Sequence, residues 1–265
     1  MTAPTAPAPS RGHEAADAPR LPGLTVVLPC FNEADNVAQA IHEATWAAVW
    51  NADEYQIIVV DDGSTDGTAQ IAAEVARSVP HVRVVQHDQN RGYGAALVSG
   101  LRAARMPWVL LTDSDLQFDL EQLADFVPLT PEADLVVGWR IARRDPLHRR
   151  VNAAAWNWLV RHTLDLRVRD VDCAFKLIRR EAVEGLPLTS SGAMISTELL
   201  VRAQADGARI RELGVEHRPR LAGEQSGANP RVVLRAFLEL RQLRQELSGE
   251  RAGSTTPSPT TPAAA

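Results

Sequence analysis

Lysine is all but missing from this chain: Lys176 is the only one among 28 basic residues. Arginine therefore carries nearly every surface cation, and an arginine cluster says less here than it would in a lysine-rich protein. Cysteine is almost as scarce. Cys30 and Cys173 are too few for a disulfide framework or a cysteine-based zinc site, and each fits best as a small buried filler in a reducing cytoplasm. The seven histidines include no His-x-x-x-His pair. No apolar run approaches the ~18–20 residues that cross a bilayer, and the N-terminus lacks the apolar stretch of a secretory leader. The expectation is a cytoplasmic protein without a transmembrane segment, soluble or peripheral at the inner face of the cell membrane. No nucleic-acid motif accompanies the basic residues, so nucleic acid is not an expected partner.

What is present is a series of short apolar runs ending in acids. Residues 108–111 form one such run and lead into Asp113-Ser114-Asp115-Leu116-Gln117. In an extended strand, residues i and i+2 point the same way, so Asp113 and Asp115 can face one cation together. Mg²⁺ or Mn²⁺ takes oxygen ligands, commonly one or two carboxylates plus substrate phosphates. Two acids after a strand also suit a plain solvated turn, so the neighbouring segments decide between the readings. Residues 24–30 read as a strand stopped near Pro29, followed by a helix over 35–48 that Asn32 or Asp35 can cap. Residues 55–61 read as a second strand, with Ser, Thr and Asp caps before a helix over 69–78. A third, over 82–87, precedes Asn90-Arg91-Gly92-Tyr93-Gly94 and a small-residue helix over 95–104. Strand, polar turn, helix, strand is the pattern of a parallel sheet, whose ligands sit beyond the carboxyl ends of its strands. Gly92-Tyr93-Gly94 lacks the third glycine of the dinucleotide fingerprint and does not open the first turn.

Taken together, Pro29-Cys30-Phe31-Asn32-Glu33, Asp61-Asp62-Gly63-Ser64-Thr65-Asp66-Gly67-Thr68, Asn90-Arg91-Gly92-Tyr93-Gly94 and Asp113-Ser114-Asp115-Leu116-Gln117 resemble the family 2 glycosyltransferases of the polyprenyl-phosphate (dolichol-phosphate) sugar synthase type. The likeness extends through Gly138-Trp139-Arg140, Asp170-Val171-Asp172-Cys173-Ala174-Phe175-Lys176, Glu198 and the segment 217–226. It implies an α/β, three-layer nucleotide-diphospho-sugar transferase (GT-A type) fold with a mainly parallel sheet, for a catalytic domain over 24–247; residues 1–23 and 248–265, rich in Pro, Ala, Ser and Thr and without apolar periodicity, read as disordered tails. It also implies that Pro29, Phe31, Glu33, Val60 and Asp62, with Asp113 and Ser114, hold the nucleotide sugar. Asp113, Asp115 and Gln117 would hold Mg²⁺ or Mn²⁺, and Asp115, Arg140 and Arg220 would serve catalysis. Arg149 or Arg150 would meet the acceptor, a polyprenyl phosphate.

Some positions depart from the pattern. Phe31 stands where the family usually has tyrosine, Ala153 where a serine commonly follows the acceptor-side arginine, and Ala174 where the motif has glycine. No lysine follows Ser226-Gly227. These changes bear on the acceptor more than on the donor, and leave a soluble or saccharide acceptor as an alternative, with a noncatalytic nucleotide-sugar-binding protein as another.

The chemistry can be argued from charge. Breaking the bond to a nucleoside diphosphate builds negative charge on the leaving phosphate, which a metal and arginines offset. A phosphate acceptor is already anionic and needs arginines to position it, whereas a hydroxyl acceptor needs a general base, for which Asp170, Asp172 and Glu198 are candidates. Direct displacement inverts the anomeric centre, as the resemblance also implies. From residue 140 to 180 there are eleven Arg or Lys against four Asp or Glu, in a chain of formal charge −5, which suits an anionic partner. Two amphipathic stretches, 153–160 with Trp156 and Trp158, and 231–247, can lie either on an anionic bilayer or against the sheet.

Overall fold

The computed structural model describes residues 18–141, 147–218 and 238–247. Its centre is a strand built to be buried on both faces: β1 (Leu24–Cys30), Leu-Thr-Val-Val-Leu-Pro-Cys, has no exposed residue. A continuous apolar run of this kind suits the middle of a parallel sheet, where helices cover both sides. β1 pairs in parallel with β2 (Tyr55–Asp61) and with β4 (Trp108–Leu111), and β2 pairs in parallel with β3 (Val82–Gln86) at the edge. β6 (Lys176–Arg179) runs antiparallel between β4 and β5 (Leu135–Arg140), and β7 (Ile210–Val215) closes the other edge parallel to β5. The order is β3-β2-β1-β4-β6-β5-β7.

Helices cover both faces. α1 (Val37–Asn51) buries Val37, Ala40, Ile41, Ala44 and Ala48, the i, i+3, i+4 stripe of a helix facing a core. Together with Ala72 of α2 (Thr68–Ser78) they join the cluster containing Val26 and Leu28. Val27 points to the opposite face, where Gly100 of α3 (Tyr93–Ala103) lies against its methyl groups. α4 is the short helix Leu123–Phe126, α5 spans Leu147–Leu164, and α6 (Ile195–Ala205) lies beside α3. This is the expected three-layer α/β architecture. In the separate C-terminal unit, the helix over 238–247 has Leu240, Leu243 and Leu247 as its buried residues.

Two local expectations are corrected. The chain is already pinned before Leu24: Leu21 is buried, its N–H donates to the Asn51 carbonyl, and the Arg20 guanidinium donates to the carbonyls of Val49, Trp50 and Ala52 at the end of α1. A cation there meets both the open carbonyls and the negative end of the helix dipole. The rest of the expected tails, 1–17 and 248–265, lies outside the described residues. Neither Asn32 nor Asp35 caps α1, because its N-cap is Asn36, whose side-chain amide donates to Glu33 Oε2 at 2.7 Å. Asn32 instead adopts a positive φ of 56° and accepts the Thr65 N–H.

The topology gathers loops at one edge. β1, β2, β4, β5 and β7 all end there, and β6, running the other way, begins there with Lys176 opposite Leu111 and Val137.

Candidate active site

The loop after β1 and the loop after β2 are laced together before any ligand is considered. Asn32 N–H donates to Ser64 Oγ at 2.9 Å, Glu33 N–H to Thr68 Oγ1 at 2.8 Å, and Ala34 N–H to Asp66 Oδ2 at 3.0 Å. Asp66 Oδ1 takes the Thr68 N–H as well, so this one side chain starts α2 and holds the turn before α1. Its carboxyl sits below the ordinary value: the cost of burial is outweighed by the Thr68 hydroxyl and the backbone N–H groups it accepts. Phe31 stays 45% exposed in this loop, whereas Glu33, two residues on, is buried.

Val60 and Asp61 lie wholly buried at the end of β2. Asp61 Oδ1 accepts the Ser64 N–H at 3.3 Å, and Asp61 Oδ2 has no partner among the described residues. Asp62 is engaged on both oxygens: Oδ1 accepts the Arg91 N–H and lies 2.7 Å from His87 Nδ1, and Oδ2 accepts the Gly92 N–H.

The β4 loop carries the paired acids. Asp113 Oδ1 accepts the Tyr93 hydroxyl at 3.1 Å, Ser114 Oγ donates to the Pro29 carbonyl at 2.9 Å, and Asp115 Oδ1 accepts the Gln117 N–H at 3.1 Å. Ser114, expected to meet the donor, is thus the tie between the ends of β1 and β4. Burial pushes the Asp113 carboxyl up, against the Tyr93 hydrogen bond and the positive charges of Lys176 and Arg140. It pushes the Tyr93 phenol up as well, with the Asp113 charge adding to the effect. An anion held at such a cost is what a divalent cation would relieve. The donor set fits a hard ion that completes its shell elsewhere. Carboxylate oxygens are offered, and among the described residues no group of three or more His, Cys, Asp or Glu forms a complete protein cage. A Mg²⁺ or Mn²⁺ here would draw its remaining oxygens from phosphates and water.

Gln117, expected on the metal, spends its side-chain N–H on the Arg218 carbonyl at 2.9 Å, and its backbone carbonyl accepts the Arg218 N–H at 2.7 Å, so neither bond uses the side-chain oxygen. Phe118 bridges His217, ring against ring at 5.1 Å, and Arg218 pairs with Asp119 at 2.7 Å. A left-handed Leu116, φ 61°, makes this turn. Residues 217–218 are therefore fastened beside the paired acids. Arg220, Gly223 and Glu224 follow outside the described residues, as do the side chains of Arg149, Arg150 and Ala153 on α5.

Arg140, at the end of β5, grips Asp170 in a two-pronged ion pair, Nε to Oδ2 at 2.7 Å and Nη2 to Oδ1 at 2.8 Å. Burial works against its charge, and Asp170 more than offsets this, holding the pKa above the ordinary value. Among the candidate bases, Asp170 is thus committed to Arg140. Glu198 is committed too, accepting the Thr189 and Ser190 N–H groups and Arg202 Nε. Burial opposes its ionisation, but the Ser190 N–H leads a set of donors that outweighs burial and keeps the carboxyl below the ordinary value. Asp172 is the exposed member of the three. Lys176 lies fully buried, its ammonium donating to the Cys173 carbonyl. Burial pushes its pKa down while Cys173, Asp172, Asp170 and Asp113 pull it up. Neither Tyr93 nor Lys176 stands out as a site residue in sequence. The available signals were a tyrosine set between two glycines at a helix start, and a lone lysine opening a buried strand.

Comparison with known proteins gives a consistent outcome. The model of the family described as Glycosyl transferase family 2 matches residues 25–186. Glycosyltransferase AglD of Haloferax volcanii is 35% identical over 208 residues, covering 74% of this chain and 33% of AglD. Dodecaprenyl-phosphate galacturonate synthase of Rhizobium johnstonii is 30% identical over 204 residues, 76% of this chain and 60% of the synthase. The chain thus spans only a third to three-fifths of the length of these two relatives. Among solved structures, glucosyl-3-phosphoglycerate synthase from Mycobacterium tuberculosis, in complex with Mn²⁺, UDP and glucosyl-3-phosphoglycerate, superposes with a TM-score of 0.61 at 25% identity, over 82% of this chain and 79% of that one. A sheet whose strand ends gather paired acids, and a family model that covers every one of those β1, β2 and β4 loops, lead to one conclusion: this chain belongs to glycosyl transferase family 2.

Proposed function

We propose that the protein transfers a hexose from a nucleotide sugar, a UDP- or GDP-hexose, to a polyprenyl phosphate, using Mg²⁺ or Mn²⁺ and inverting the anomeric centre. The observation that carries this reading is the gathering, at one edge of the sheet, of the loop carrying Asp113 and Asp115 with those carrying Phe31, Glu33 and Asp61, where desolvation weighs on the charge of the part-buried Asp113. Phe31 offers an exposed ring face for a nucleobase, and Asp61 Oδ2 is a buried acceptor suited to a ligand N–H or hydroxyl. When bound, the cation would neutralise charge developing on the leaving diphosphate. Arg140, held rigid by Asp170, contributes a fixed positive field to the same loop cluster, and Arg220 would add to it.

A phosphate acceptor suits this site better than a hydroxyl. Two of the three candidate bases, Asp170 and Glu198, are spent on arginines and backbone N–H groups, which leaves the exposed Asp172 for a hydroxyl acceptor, whereas an acceptor phosphate is already ionised and needs no base. The name of the galacturonate synthase relative supports a polyprenyl phosphate, and Trp158 on α5, 60% exposed, with Ile141, 55% exposed, offers apolar surface for a lipid or a peripheral membrane contact at the cytoplasmic face. The mycobacterial synthase favours a second reading, a small soluble phosphorylated acceptor.

The test is release of nucleoside diphosphate from a panel of UDP- and GDP-sugars with Mn²⁺ or Mg²⁺, with and without a short polyprenyl phosphate, beside Asp115→Ala. Lipid-stimulated release that the variant lacks supports the proposal. Release indifferent to lipid but stimulated by a phosphorylated small acceptor moves the function to the second reading. Donor binding without turnover under every condition overturns both.

A further inference from the structure

One hydrogen-bonded chain starts outside the motifs, at the buried His87, and runs through motif residues to the paired acids. His87 is the first residue after β3 and is 6% exposed. Its N–H continues the sheet ladder by donating to the Asp61 carbonyl at 2.9 Å. Its ring is held at both nitrogens, with Nδ1 2.7 Å from Asp62 Oδ1 and Nε2 2.8 Å from Ser99 Oγ on α3. An ionised carboxylate only accepts, so Nδ1 carries the hydrogen toward Asp62, and Nε2 shares a hydrogen bond with the Ser99 hydroxyl. Asp62, 3% exposed, also takes the Arg91 N–H at 2.9 Å and the Gly92 N–H at 2.8 Å. Gly92 has φ of 99°, a backbone conformation that residues with a Cβ rarely adopt, and the next residue is Tyr93, whose hydroxyl donates to Asp113 Oδ1.

We infer that His87 is a positioning residue for the diphosphate site: it clamps the Asp62 carboxylate, which clamps the Arg91–Gly92 turn and thereby sets the Tyr93 hydroxyl on Asp113. The inference rests on the proposed role of Asp113 as a metal carboxylate. An Asp–His–Ser order also occurs in serine hydrolases. Here Ser99 sits in the interior of α3, where the neighbouring backbone N–H groups are spent on the helix, so no donors are left for an oxyanion. Asp62 has about four acceptor positions and three are filled. The remaining one can still take a nucleobase N–H, so clamping the turn and meeting the donor are compatible.

The experiment compares wild type, His87→Leu, His87→Asn, Tyr93→Phe and the His87→Leu/Tyr93→Phe double variant. Two quantities are read: Mn²⁺ affinity in the presence of UDP, and hydrogen exchange of the Gly92 amide. Asparagine can place an N–H where Nδ1–H stands, so His87→Asn is expected to stay near wild type in both. His87→Leu and Tyr93→Phe should each weaken Mn²⁺ binding by about tenfold, the scale of one buried hydrogen bond to a charged group, and the double variant should be no weaker than the worse single. Gly92 protection should fall in His87→Leu and hold in Tyr93→Phe. If His87→Leu does not fold, His87→Gln replaces it, because it keeps a polar atom toward Ser99 while withdrawing the one toward Asp62. Wild-type Mn²⁺ affinity and Gly92 protection in the folded His87 variant, or losses that simply multiply in the double variant, overturn the inference and leave the proposed function standing. A wild-type protein that takes up no Mn²⁺ with UDP overturns the metal reading and this inference with it.

Discussion

At the scale of single residues, the same chemical type does different work according to what surrounds it. Cys30 and Cys173 are both buried, and burial pushes their thiols up, to about 12 and about 11. Because the thiolate is the nucleophile, native protein at pH 8 should resist alkylation by iodoacetamide at both positions and react at both once unfolded; mass spectrometry of the intact chain reads the count. Glu198 and Asp113 show the same contrast among acids. Glu198 faces only donors, so Glu198→Gln would turn an amide NH₂ toward N–H groups or sacrifice an acceptor. We expect it to cost about 2 kcal/mol of stability, seen as a lower melting temperature, with little change in turnover by the protein that remains folded. A kcat loss of a hundredfold at unchanged stability would instead restore Glu198 as a base. In sequence nothing shows that Glu198 is spent on donors, because these come from Thr189 and Ser190, which only the folded loop brings to it.

At the scale of elements, α3 shows how close packing and helix propensity compete. Gly100 lies in its interior, where alanine would ordinarily be favoured by about 1 kcal/mol. A Cβ at this position would fall inside the van der Waals envelope of Val27 Cγ1 on β1, in the middle of a fully buried strand that cannot retreat. Overpacking of that kind costs about 1–3 kcal/mol, so Gly100→Ala should be net destabilising. Thermal denaturation should show a lowered midpoint, and a raised one would mean that α3 can move off the sheet. The small-residue character of this helix was legible from its sequence, as were all the strands on the nucleotide side. Their ends were less so. α1 begins at Val37 rather than near 35, because Glu33 takes the Asn36 amide and the turn before it is bonded to Ser64, Thr68 and Asp66. Those partners lie about thirty residues away and have no local signature.

At the scale of the whole molecule, the sheet is held at the end opposite the site by Asp134. Its carboxylate accepts Arg209 from the segment before β7 and Arg179 from the end of β6, so one side chain at the start of β5 joins three strands. The Arg209 hydrogen bond is the leading cause of a carboxyl held at about 2 instead of 3.8. A lowered pKa means that the stabilisation is complete above 3.8 and is lost as pH falls through about 2. Asp134→Asn should therefore lower stability at neutral pH only modestly, given that Arg209 is exposed and water screens the pair. It should also flatten the loss of stability over that acidic window, and urea titrations at neutral and acid pH would show both effects. Equal slopes in variant and wild type would rule the ion pair out as a source of the pH dependence.

The sequence by itself determined the alternation of strands and helices, the sharing of one edge by the acid-bearing turns, and the family, because periodicity and contiguous motifs are local properties of the chain. Tertiary structure decided which protein groups those motif residues also hold. Ser114 and Gln117 turn to the Pro29 and Arg218 carbonyls, Asp170 to Arg140, and Asp62 to a histidine and two backbone N–H groups, while Tyr93 enters from α3 to meet Asp113. These partners come from distant parts of the chain, and a hydrogen bond between such segments depends on distances set only when the sheet has brought their ends together.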